Sequence, residues 1–199
     1  MANKNSRLLS TEEQWDIYAP PVLNQLERIQ HFTFSPEEIK VLKSFRSIEA
    51  SVYFAICLVF LKLKKTLVSF SYQDVTLERQ HVMERYFPNI KSPKCFPKDR
   101  ALIIRIENKA LAVYGYMRYT QHRKETIEKS LLQQAARHPR QRKLCKTLLD
   151  IFSIHRVAIP PYSTIQPLYQ MSGTKKISVL LTTIIAIRIK HNAIPYIHF

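Results

Sequence analysis

Eleven side chains between residues 118 and 146 form the one dense grouping of chemistry-bearing residues in the chain. They are Arg118, His122, Arg123, Lys124, Lys129, Gln133, Arg137, Arg140, Arg142, Lys143 and Lys146. The stretch 114–146 sets nine cations against two acids, Glu125 and Glu128, and interleaves them with Tyr114, Tyr116 and Tyr119. A face serving solubility alone would mix the two signs. Clustered Arg and Lys instead suit the phosphates of a polyanion, and double-stranded DNA is the first expectation. The carboxamide of Gln133 matches the donor and acceptor of an adenine edge in the major groove, although Gln is also an ordinary helix-surface residue. His122 stands open between contacting phosphate and orienting its helix. Two of the three tyrosines are expected in the core or at its boundary rather than stacked on bases, as amphipathic aromatics usually are.

Bond-making chemistry has no comparable constellation. The chain has two glycines, Gly115 and Gly173, too few for a glycine-rich loop whose backbone approaches phosphate. HExxH, GxSxG and CxxC are absent, and His122 and His138 do not have the spacing of a metal pair. The acids at Glu12, Glu13, Glu37 and Glu38 fall where helix first turns favour negative charge. The expectation is a protein that is not an enzyme and takes no cofactor, metal or small-molecule substrate. Cys57, Cys95 and Cys145 read as three reduced thiols of a cytoplasmic protein. The apolar runs 52–61 and 177–187 fall short of the roughly 18 residues of a membrane span. The first residues lack the apolar run of a signal peptide, so no membrane association is expected.

The net charge of +16 is unevenly placed. Residues 1–50 have six cations against seven acids, residues 101–150 have eleven against four, and no acid follows Asp150. The positive field therefore belongs to the middle and end of the chain, and the elements there must position it.

Start and stop signals predict an all-α fold. Ser10 with Glu13, and Ser35-Pro36 with Glu38, are capping boxes that open helices. Pro21 is read as the first residue of a helix with Val22, Leu26 and Ile29 on one stripe. Residues 50–63 are apolar nearly all round, which predicts a buried central helix, and Lys62, Lys64 and Lys65 at its end complement the dipole. Thr76 is read as the cap of a helix reaching Phe87. Pro88, Pro93 and Pro97 then suggest a linker. One long helix is expected over 99–119, followed by stripes at Ile127, Leu131, Leu132 and Ala135, and at Leu144, Leu148, Ile151 and Phe152, with a break at His138-Pro139. Helical projection places Arg118, His122, Glu125 and Lys129 on one face, with Glu125 and Lys129 paired. A short extended segment at 156–162 precedes a last helix capped by Ser163. The expected division is an N-terminal helical subdomain, 1–87, a proline-rich linker, 88–98, a basic helical subdomain, 99–170, and an irregular tail, 171–199. The acid-free tail has the composition of an out-of-frame or disordered extension.

Four segments carry a resemblance. RYTQHRKETI at 118–127, with Arg118, Thr120, His122 and Ile127 in order, resembles a signature of the N-terminal region of Tn-three-family replicative transposases. HFTFSPEEIKVL at 31–42, FAICLVFLK at 54–62 and HRVAIPPYSTIQPL at 155–168 resemble three more segments of that region in the same order. The resemblance covers about residues 7 to 170 and implies a helical module that recognises transposon terminal inverted repeats. It implies as partners duplex DNA and other transposase copies, and it leaves the catalytic acidic domain outside this chain. A truncated or frameshifted transposase is the expected origin. The alternatives are a basic protein-interaction or membrane-surface module, or a remnant with no function.

Overall fold

The computed structural model describes residues 9–135 and 141–173, with backbone alone at 132, 134–135, 141–145 and 168–173. The described residues form nine helices and no strand beyond two isolated bridges. The fold is all-α, as expected. These residues divide into a larger unit, 9–120 with 152–160, and a smaller one, 121–151 with 161–173.

The larger unit is built on α4 (Ile48–Lys64), in which every residue from Ala50 to Leu61 is buried. A helix apolar on all sides is stable only when neighbours cover all of them. α3 (Pro36–Leu42), α5 (Thr76–Tyr86) and α6 (Arg100–Tyr114) pack on it, α6 most extensively, and Phe70 and Phe96 of the connecting segments cover Tyr53. Three ion or dipole contacts fasten the lysines at the end of α4. Lys62 pairs with Glu38, Lys64 lies 3.6 Å from Asp16, and Lys65 reaches the Tyr114 hydroxyl. Burial lowers the pKa of Lys65.

Local chemistry sets most helix ends. α1 (Thr11–Tyr18) and α3 carry the expected capping boxes at Ser10 and Ser35. Glu38 serves twice, accepting from the Ser35 amide at 2.9 Å while also pairing with Lys62. α2 (Gln25–His31) begins later than Pro21 suggested, at a capping box between Asn24 and Glu27. The stripe assigned to it is turned outward: Val22 is 98 % exposed and Leu26 78 %. Arg28, on the other side of α2, instead meets Glu78 of α5 at 3.3 Å. No side chain caps α5, and the Thr76 hydroxyl donates to the Gln73 carbonyl at 3.0 Å.

The expected division at 88–98 gives way to one at Thr120, because that segment is packed rather than spanning two bodies. Pro93 is buried, and its carbonyl accepts from Tyr72. Phe96 meets Tyr53, Phe70 and Tyr72 edge-on at ring separations of 5.1–5.6 Å. α6 then returns along α4 in the same unit.

The helix expected over 99–119 ends at Tyr114. Asp99 caps its start, and Gly115 takes the left-handed conformation (φ +72°) that a side chain would strain. Beyond Gly115 the chain is extended. The Met117 amide donates to Arg156 O at 2.8 Å and the Ala158 amide to Met117 O at 2.9 Å. The Ile159 amide donates to Lys65 O at 2.8 Å, and the Thr66 hydroxyl to Ile159 O at 2.7 Å. The short segment 157–159 therefore joins the end of α4 to residue 117.

The smaller unit contains α7 (Gln121–Ala135), α9 (Tyr162–Gly173) and most of α8 (Gln141–Ile154), whose last residues belong to the larger unit. Ile127 and Leu131 of α7, Leu148 and Ile151 of α8 and Ile165 of α9 are its buried side chains, and α7 packs on α9. α9 starts at Tyr162, so Ser163 lies inside its first turn. Of the expected tail, residues 171–173 continue α9 and the remainder lies outside the described residues.

Candidate nucleic-acid interface

α7 lacks a glycine or proline, and its apolar residues recur at a step of four, so one stripe is buried and the opposite face is left to polar groups. His122, Glu125, Thr126, Lys129 and Gln133 are all exposed, and a 3.6-residue period places them on that one face. Arg123 and Lys124 flank the stripe, half-buried. Lys124 lies 3.8 Å from Glu128, so the intrahelical pair forms there and not between Glu125 and Lys129. Three of the expected contact residues, His122, Lys129 and Gln133, are thus brought onto one solvent-facing surface.

The remaining residues separate. Lys146 is exposed on α8. Arg142 and Lys143 belong to α8 by backbone, their side chains outside the described residues, and Arg137 and Arg140 lie outside them altogether.

Arg118 does not share the face of α7, a correction to the helical projection, because the chain is extended rather than helical at 116–120. Its Nη2 donates to Glu107 Oε2 at 2.6 Å and its Nε to Asn108 Oδ1 at 3.0 Å, both on α6. Tyr53 of α4 neighbours the same Glu107 carboxylate. Burial first, then neighbouring Cys57 and Glu107, push the Tyr53 hydroxyl above its ordinary pKa. Burial, then Glu107, does the same to the Cys57 thiol. Both groups are held neutral beside the ion pair of Glu107 and Arg118. Cys57 is a buried free thiol and Cys95 an exposed one.

The tyrosines resolve on the same grounds. Tyr116 is buried and stacks on Tyr114 at 4.9 Å, and Tyr119 meets Phe152 edge-on at 5.8 Å. No group of His, Cys, Asp and Glu able to hold a metal occurs among the described residues. No described helix is long and apolar enough to cross a membrane.

An all-α domain with a polar, cation-bearing helix face is the class these features define. Residues 8–170 match the family described as "Domain of unknown function (DUF4158)", and the chain belongs to that family. No curated protein and no solved structure matches it.

Proposed function

We propose that this chain is the DNA-binding module of a Tn-three-family transposase, which recognises transposon terminal inverted repeats and carries no catalytic centre of its own. The family to which it belongs is found in such transposases. The observation that carries the reading is the outer face of α7, which brings His122, Lys129 and Gln133 together in solvent. It lies within a stretch of nine cations and two acids. The proposed contacts are His122, Arg123, Lys124, Lys129, Arg137, Arg140, Arg142, Lys143 and Lys146 to phosphate and Gln133 to a base edge. Other copies of the transposase are the proposed protein partners.

Fluorescence anisotropy with a labelled mixed-sequence duplex tests the reading. Binding should weaken with salt at a log–log slope of about −0.9 per phosphate neutralised. The triple change Arg140→Ala, Arg142→Ala, Lys143→Ala should lower affinity and flatten that slope. Unchanged affinity and slope would sink the assignment. Equal binding to anionic liposomes would move the surface to a membrane or acidic partner.

A further inference from the structure

We infer that Arg118 is a positioning residue, which secures the segment from which α7 departs and supports DNA binding without touching DNA. The inference rests on the proposed DNA-binding function for its ligand and on independent geometry for its mechanism.

Residues 116–120 close the larger unit, and α7 begins at Gln121. This exit is tied at three successive points. The Met117 backbone pairs with Arg156 and Ala158, the Arg118 guanidinium spans Glu107 and Asn108, and Tyr119 meets Phe152. The chain returns from α8 through Phe152 into 157–159, the segment bonded to Met117 on one side and to the end of α4 on the other. Departure and return are therefore fastened side by side within the larger unit. Arg118 is the one charged side chain of that exit. Its guanidinium satisfies two acceptors on α6, Glu107 and Asn108, in fork geometry. An extended segment with only two backbone bonds to its neighbour has little stability of its own. Its order depends on such side-chain ties.

Electrostatics and positioning make opposite predictions for Glu107. Removing an acid from a basic protein favours a polyanion. If Arg118 works through Glu107, Glu107→Gln weakens duplex binding several-fold instead, as does Arg118→Ala, and the double variant is no worse than the poorer single one. In both variants the salt slope stays at the wild-type value, because no phosphate contact is lost. Hydrogen exchange supplies a readout without DNA: the amides of Met117 and Ala158 should exchange faster in both variants while those of Val52 to Leu61 do not. A flattened slope in Arg118→Ala, tighter binding by Glu107→Gln or unchanged exchange at Met117 and Ala158 would each overturn the inference. If the wild-type chain bound no duplex, the proposed function and the role in binding would both fail, and exchange would still decide whether Arg118 secures the segment.

Discussion

α4 and α7 are of similar length and lie about sixty residues apart, yet they answer to different physics. In α4 the run from Ala50 to Leu61 is buried without a break. In α7 Ile127 and Leu131 are the buried side chains among those described. A fully covered helix is a matter of packing, where each methylene removed leaves a void. A half-covered one leaves its outer face to solvent. The family match spans both helices.

The largest expected effect tests the first half of the contrast. Phe54, fully buried on α4 and 5.3 Å from the Phe45 ring, should cost about 3–5 kcal/mol when replaced by Ala, read by urea denaturation. A loss below about 1 kcal/mol would mean that the centre of α4 collapses readily around a void and that the contrast is one of composition only. Ser35→Ala comes next. It removes one half of the capping box of α3 and should cost about 1 kcal/mol. Because Glu38 also pairs with Lys62, Glu38→Ala should cost more than Ser35→Ala in the same measurement.

Local signals were the most legible part of the chain. The boxes at Ser10 and Ser35 were visible because a cap depends on residues three apart, and the box at Asn24 and Glu27 was equally present beside the misleading proline at position 21. Gly115 likewise advertised a helix end that the continuing apolar periodicity obscured. The proline-rich stretch shows the other limit. Prolines restrict the backbone, but whether Phe96 packs on Tyr53 depends on a residue more than forty positions away, which spacing alone does not reveal. Arg118 failed in the same way, since projecting it onto α7 assumed a continuous helix, whereas its partners lie on α6. The exposed face of α7 was legible as a pattern, because two buried residues four apart suffice to orient a helix.

A smaller effect concerns pH and the packing beneath α2. His81 of α5 meets Phe32 edge-on at 5.9 Å, and its pKa is held below the ordinary 6.5 by burial first and then by Arg85 and Arg28, against Glu84 and Glu78. The folded state therefore favours the neutral ring. As pH falls through 6.5 the unfolded chain takes up the proton first, and stability declines until the folded pKa is passed. Between about pH 7.5 and about pH 5.5 the wild-type chain should lose more stability than His81→Gln. Equal losses would place the acid sensitivity elsewhere.

The smallest expected change in stability is the sharpest test of α7. Lys129 is exposed and makes no ion pair among those of the described residues, so Lys129→Ala should alter unfolding stability by less than about 0.5 kcal/mol. The same substitution should weaken duplex binding and reduce the salt slope by about 0.9, the share of one phosphate. Gln133→Ala, four residues along the same face, should also leave stability unchanged and keep the full slope, because a carboxamide releases no counterion. Its loss should fall on sequences with adenine at the contacted position. Were both variants to destabilise the fold while binding stayed intact, the outer face of α7 would belong to the packing of the protein. The contrast with α4 would then be one of degree, and the DNA surface would have to be sought among the cations of α8.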